Sequence, residues 1–333
     1  MALVKKMFVA CRSALISLLF FCFVAPLSLF FCLPAAAEEV IIGYPSRSMT
    51  EFPNYLAIKK GFYREEGLEA KFVQAKSNIL VAALASGSMD YITSVTSTIG
   101  GILAGMAAKV VAGVVKNNPD FLMARPEIRT IRDLKGRKLA VSAFGGASHQ
   151  RLVIILRKAD LDPDTDVNIL SVGEAPLRLQ QLRLGMISAT VLTAPNNFIA
   201  ERAGFVTLGS SKDILALPAV GIATLERRLK EKPEQVKKVL RALLKGMQHI
   251  KAQRADTVRI AMEWLSLDRD LVERSLEVMI PNYSFDCGID PVGLAAMIDV
   301  VSKARGYALK KTLSLADVVD FSLLEEVRKE IRR

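Results

Sequence analysis

The sequence is poor in cysteine, which excludes several kinds of site. It contains four cysteines. Cys11, Cys22 and Cys32 lie in an N-terminal segment with the composition of a leader, and only Cys287 lies beyond it. A single thiol forms neither an internal disulfide nor a cysteine-based metal cluster. We therefore expect the fold to depend on its hydrophobic core, with Cys287 packed as a small apolar residue.

The sequence also lacks motifs for bond-making chemistry. No G-x-x-x-x-G-K-[ST] phosphate-binding loop occurs in it, so ATP hydrolysis is excluded. The segment 130–148 predicts a short helical turn, a stop at Gly136, a buried strand and a small-residue loop that opens a helix. A helix N-terminus presents backbone N–H groups to a polar ligand. Because no nucleophile, metal cluster or carboxylate pair accompanies this loop, we expect binding without catalysis, cofactor or metal.

The N-terminus has the layout of an export signal. Lys5 and Lys6 precede a long apolar run, and Ala35–Ala37 supplies an A-x-A cleavage site. We predict a signal peptide over residues 1–37, cleaved after Ala37, and a periplasmic product. The apolar run is longer than usual, so a retained membrane anchor is the alternative. The net charge is +11. The basic residues are interspersed with acidic ones along predicted helices, as in 227–232, which argues against nucleic acid as a partner.

Strands and helices alternate in two successive stretches. The first covers residues 39–123, and the pattern restarts after Pro126 and continues to residue 208. Beyond Pro218 the chain reads as helices. This alternation predicts an α/β protein with two mainly parallel sheets covered by helices. The chain is expected to cross between the two units near residues 125 and 217, which would allow hinged closure around a ligand.

Several short motifs carry a resemblance to a known family. The chain resembles the substrate-binding proteins of ABC importers in the nitrate/sulfonate/taurine class, which are related to thiamine-pyrimidine synthases. The resemblance covers about residues 39–330. In order, the segments that carry it are Gly43–Ser46, Ile58–Leu68, Ala83–Tyr91 and Asp133–Gly136, followed by Leu182–Ala189, which is similar to the third.

The resemblance implies a two-lobed periplasmic-binding-protein fold of type II with a helical C-terminal part. Lobe one would comprise residues 38–124 and 219–333, and lobe two residues 125–218. It further implies a monomer that holds a small-molecule ligand in the cleft and delivers it to an ABC permease in the inner membrane.

Ligands of α/β sheets bind beyond the carboxyl ends of the strands, and four predicted loops lie there. Their hydroxyl and amide groups suit a small polar or anionic solute, although the same residue types also serve as ordinary helix caps. Arg47 could pair with an anion, whereas the absence of Asp and Glu from these loops argues against an amine or a metal. The predicted ligand-binding residues are Ser46, Arg47, Ser48, Thr96, Ser97, Thr98, Gly145, Gly146, Ser148, Ala194, Pro195 and Asn196.

Two other functions compete with solute binding for transport. A pyrimidine-synthase-like enzyme would need the cysteine-rich iron motif of that group, which is lacking beyond residue 37. A ligand-sensing module for a signalling partner would use the same two lobes, and a retained N-terminal anchor would favour it. Neighbouring genes for a permease and an ATPase, or for a sensor kinase, would discriminate between transport and sensing.

Overall fold

The computed structural model describes residues 37–117, 119–210, 217–218, 220–304 and 313–331. The predicted signal peptide lies outside the described residues except for Ala37, and its cleavage remains a prediction. No helix within these ranges is long and apolar enough to cross a membrane.

Ten strands form two five-stranded sheets within the described ranges. The first sheet has the order β2-β1-β3-β10-β4, and the second has the order β7-β6-β8-β5-β9. The strands are β1 (Glu38–Tyr44), β2 (Leu68–Gln74), β3 (Tyr91–Ser94), β4 (Ala108–Gly113), β5 (Phe121–Ala124), β6 (Lys138–Val141), β7 (Asn168–Ser171), β8 (Ala189–Leu192), β9 (Val206–Ser210) and β10 (Val220–Leu225).

Each sheet is mixed, with a parallel part and one inserted antiparallel strand. β1 runs parallel to β2 and β3, and β6 runs parallel to β7 and β8. β10 is antiparallel to β3 and β4, and β5 is antiparallel to β8 and β9. The sequence predicted the other eight strands but neither β5 nor β10. Both are short, almost wholly apolar runs, and such runs carry no alternation that identifies a strand.

Helices cover both sheets and form most of the chain after β10, as predicted. The α/β fold class is confirmed. The helices are α1 (Phe52–Lys59), α2 (Phe62–Glu65), α3 (Ser77–Ser86), α4 (Val95–Leu103), α5 (Ala147–Lys158), α6 (Ala175–Arg183), α7 (Asn196–Arg202), α8 (Glu226–Glu231), α9 (Pro233–Ala252), α10 (Arg254–Leu265), α11 (Arg269–Met279), α12 (Pro291–Ala304), α13 (Leu315–Val318) and α14 (Ser322–Ile331).

Helix α1 begins at the cavity described below, and its packing against α9 fixes its position. α9 starts with Pro233, which suits a first helical turn, and it buries one apolar face that includes Val239, Leu243 and Met247. At Gly246 an added Cβ would lie 2.8 Å from the Cβ of Ala57. The absence of a side chain at this position therefore lets the two helices approach closely and holds α1 against the core of the first sheet.

Candidate functional site

A polar cavity lies where the carboxyl ends of strands from both sheets meet. The loops after β1, β6 and β8 contribute to its walls, as does Ser94 at the end of β3. Its volume is about 70 Å³, which corresponds to room for about five water molecules. The lining residues are Pro45, Ser46, Ser48, Thr50, Glu51, Ser77, Ser94, Asp120, Ser142, Ala147, Ser148, Arg178, Val191, Thr193 and Val220.

Helix N-termini from both sheets reach this cavity. Ser77 is the first residue of α3, and Ala147 and Ser148 open α5. The hydroxyl of Ser148 accepts a hydrogen bond from the backbone N–H of Ser142 at 2.8 Å and lies 2.8 Å from the Ser142 hydroxyl. These contacts hold the loop after β6 against the start of α5. The positive ends of the two helix dipoles thus face the cavity, where acceptor groups of a ligand are favoured.

Glu51 is the least expected member of the cavity lining. It is the N-cap residue of α1, and the residue is 1% exposed. Neither of its carboxyl oxygens has a hydrogen-bond partner among the described residues. Burial raises the pKa of Glu51 from 4.5 to about 8; the nearby Thr93 hydroxyl opposes this shift but forms no hydrogen bond of normal geometry with the carboxyl group. The carboxyl group is therefore mostly protonated at neutral pH.

Arg178 reaches the cavity wall from the second sheet. Its Nε donates to the carbonyl of Gly173 at 3.0 Å, and its Nη1 donates to the hydroxyl of Thr190 at 3.0 Å and to the carbonyl of Val191. Burial lowers the pKa of Arg178 to about 10. The guanidinium group therefore remains charged, and its Nε and Nη1 are engaged by the protein itself.

Asp120 also lines the cavity, and it forms a buried ion pair. Its carboxylate lies 3.0 Å from Nε of Arg151, with side-chain exposures of 3% and 0%. Arg151 also donates to the carbonyl of Leu217, and its burial lowers the pKa of this guanidinium group. The pair places one negative and one positive charge behind the second-sheet wall.

The structure brings three predicted binding residues into the cavity lining, namely Ser46, Ser48 and Ser148. Gly146 lies immediately behind them, since an added Cβ there would be 3.4 Å from the hydroxyls of Ser142 and Ser77. The hydroxyls of Ser48 and Thr50 lie 2.7 Å apart. This part of the predicted site is therefore assembled by loops from both sheets.

Thr96, Ser97 and Thr98 are buried in α4 and lie outside the cavity lining. Thr98 donates its hydroxyl to the carbonyl of Ser94 at 2.7 Å, and the hydroxyl of Thr96 contacts the sulfur of Met297 at 3.8 Å. The hydroxyl groups of Thr96 and Thr98 thus turn to the helix backbone and the core, while Ser94 reaches the cavity.

The other predicted residues surround neighbouring features. Arg47, Pro195 and Asn196 line a second cavity of about 270 Å³, where Arg47 donates to the carbonyl of Trp264 at 3.1 Å. The Gly145 N–H donates to Nδ1 of His149 at 3.2 Å. The carbonyl of Ala194 accepts from the N–H of Met49 at 3.1 Å. This last bond joins the loops that follow β1 and β8.

Sequence reasoning missed the ionisable residues of the cavity. The four predicted loops contain no acid, but Glu51 and Asp120, which lie outside them, also line the cavity. Asp120 directly precedes β5, a strand that was not predicted. Glu51 had a usable signal, since it is the one charged residue between Ser48 and Ile58. An isolated carboxyl in an apolar stretch is a candidate for burial or function.

The sequence is similar to those of known proteins. A family model described as NMT1/THI5 like matches residues 50–256. The chain belongs to the NMT1/THI5-like family. The riboflavin-binding protein RibY of Chloroflexus aurantiacus is 25% identical over 265 residues, which cover 73% of this chain and 75% of RibY.

Solved structures share the fold of this NMT1/THI5-like protein. The alkanesulfonate-binding protein SsuA from Xanthomonas axonopodis pv. citri, bound to MOPS, superposes with a TM-score of 0.71 at 20% identity, covering 86% of this chain and 99% of SsuA. The periplasmic nitrate-binding protein NrtA from Synechocystis PCC 6803 gives a TM-score of 0.74 at 14% identity, with 89% of each chain covered. The expected periplasmic-binding-protein fold is thereby confirmed.

Proposed function

We propose that this protein is the extracytoplasmic solute-binding component of an ABC importer. It would capture a small polar organic solute and deliver it to a permease in the inner membrane. The observation that carries the proposal is the polar cavity built by strand ends and helix N-termini of both sheets. Membership of a family with a curated riboflavin-binding relative, and a fold shared with sulfonate- and nitrate-binding proteins, support it.

The two sheets correspond to two proposed lobes that close on the ligand. The sequence places their bounds at residues 38–124 with 219–333 for lobe one and residues 125–218 for lobe two, with a hinge near residues 125 and 217. Because β5 (Phe121–Ala124) pairs within the second sheet, we place the first crossing earlier, between β4 and β5, and assign β5 to lobe two.

The cavity walls come from both sides. Ser46, Ser48 and Glu51 follow β1 in the first sheet, whereas Ser148 and Arg178 belong to the second. A ligand that contacts both sides stabilises the closed arrangement relative to an open one. Recognition of the closed protein by the permease would then couple ligand capture to delivery.

A thermal-shift screen of the purified protein tests the proposal. The compounds are riboflavin, uracil, MOPS, ethanesulfonate, nitrate and simple organic acids, chosen from the solutes of the relatives and from the polar lining. We expect one class to raise the melting temperature in proportion to the logarithm of its concentration. A ligand bound in the cavity would bind more weakly to a Ser48→Ala/Ser148→Ala variant, with Thr98→Ala as the matched control outside the cavity. Lack of any response across the panel would count against solute binding.

A further inference from the structure

Glu51 differs from every other described residue that lines the cavity. It is the only one of them with fully buried side-chain polar atoms that lack a hydrogen-bond partner among the described residues. A buried polar group without a partner costs about 1–3 kcal/mol, so its retention in a cavity wall indicates a partner supplied by the ligand. The carboxyl group is held there by the start of α1, which packs on α9.

Several neighbouring polar groups have partners within the protein. The Ser48 and Thr50 hydroxyls pair with each other, as do those of Ser142 and Ser148. Arg178 donates to backbone carbonyls and to a threonine hydroxyl. The cavity therefore offers a carboxyl group without a hydrogen-bond partner among the described residues, while Nε and Nη1 of its guanidinium group are engaged.

We propose that Glu51 selects the ligand by pairing with an uncharged cis-amide edge, an N–H beside a C=O as in a lactam, imide or ureide. This inference rests on the proposed function and specifies its solute. A protonated carboxyl group presents one O–H donor and one C=O acceptor side by side. It can therefore accept from the ligand N–H and donate to the ligand C=O at the same time.

The surroundings favour this edge over charged groups. A sulfonate or carboxylate placed at Glu51 would find a single O–H donor there and would approach the carboxylate of Asp120, while Nε and Nη1 of Arg178 already donate to the protein. An ammonium group would require an ionised Glu51 and acceptors for its remaining protons, and burying such charges is costly. A second ligand carbonyl can still be received by the N-termini of α3 and α5.

Calorimetric titration of matched probes tests the inference. The amide-edge probes are riboflavin and uracil, and their controls are 3-methylriboflavin and 1,3-dimethyluracil, in which the N–H is blocked. Ethanesulfonate represents anions, and taurine represents an ammonium-bearing solute. Each is titrated into wild type, Glu51→Gln, Glu51→Leu and Glu174→Gln. Glu174 is an exposed N-cap glutamate of α6 and leaves the cavity untouched.

We expect at least one amide-edge probe to bind wild type and its methylated control to bind at least about tenfold more weakly. Glu51→Gln retains a donor beside an acceptor, so its affinity should stay within about threefold of wild type. Glu51→Leu should lose at least about tenfold, and Glu174→Gln should match wild type. Circular dichroism confirms that each variant is folded.

Three outcomes overturn the inference. Probe binding that is lost in Glu51→Gln as fully as in Glu51→Leu would show that an ionised carboxylate, rather than a protonated carboxyl group, makes the contact. Anion binding unaffected by Glu51→Leu would remove Glu51 from recognition and leave the proposed function standing. If no amide-edge probe binds, the inference fails, even if another compound in the thermal-shift screen binds. The proposed function fails only if no compound in the screen binds.

Discussion

Replacement of Glu51 by glutamine should change how the stability of the ligand-free protein depends on pH. Burial raises the pKa of this carboxyl group from 4.5 to about 8. Between these values the folded protein keeps a proton that the unfolded chain releases, so the free energy of unfolding falls as pH rises. Below pH 4.5 both states are protonated and the penalty is absent. Glutamine has nearly the same shape and does not titrate, so the variant lacks this penalty.

The size of the effect follows from the shift. Each pH unit across this interval costs the wild type about 1.4 kcal/mol, which amounts to about 3 kcal/mol at pH 7 relative to pH 4.5. The difference in melting temperature between Glu51→Gln and wild type should therefore grow by about 2–4 °C per pH unit from pH 5 to pH 8. Differential scanning calorimetry at four pH values measures this growth, and contributions of the other titrating groups cancel in the comparison.

Glu174→Gln provides the control for this measurement. It removes an exposed N-cap carboxyl group outside the cavity, and its difference from wild type serves as the baseline for Glu51→Gln. A difference for Glu51→Gln that does not grow beyond this baseline would refute the reasoning, because it would mean that Glu51 ionises in the folded protein as it does in the unfolded chain.

Three further predictions concern other contacts. Asp120→Asn leaves the guanidinium of Arg151 buried beside an uncharged amide and should lower the free energy of unfolding by about 3–5 kcal/mol in urea titrations; a loss below about 1 kcal/mol would contradict a buried pair. Thr98→Ala should cost about 1–2 kcal/mol of stability but leave the calorimetric affinity of a screened ligand unchanged, and a tenfold affinity loss would place Thr98 at the ligand. Arg202→Ala breaks ion pairs with Asp268 at 2.8 Å and with Asp270 at 2.5 Å. Because Arg202 is 43% exposed, the loss of stability should be small and should disappear in 1 M salt.

Local signals in the sequence were sufficient for most elements of the fold. Glycines with positive φ end helices and turns at Gly61, Gly87, Gly136 and Gly204, and only glycine adopts this conformation without strain. The parallel strands were found because helices separate them at regular intervals. The strands β5 and β10 were missed because their apolar runs specify neither strand direction nor partner, which tertiary contacts decide.

The site was predictable where function and local structure use the same residues. Ser148 was found because a serine at a helix start is both a cap and a ligand donor. Glu51 was not found, since its burial depends on the contact of α1 with α9, almost 200 residues later in the chain. Thr98 has the right residue type, but the turn of α4 directs its hydroxyl to the Ser94 carbonyl.

The strand orders have a consequence for how the protein folds. All five strands of the second sheet, β5 to β9, are contiguous in the chain, so this sheet can form from relatively local contacts. The first sheet is different, because β10 lies between β3 and β4 in the sheet but follows all five strands of the second sheet in the chain. Closing so long a loop is slow. The second sheet should thus fold first, and the cavity, which needs walls from both, should arise in the last step of folding.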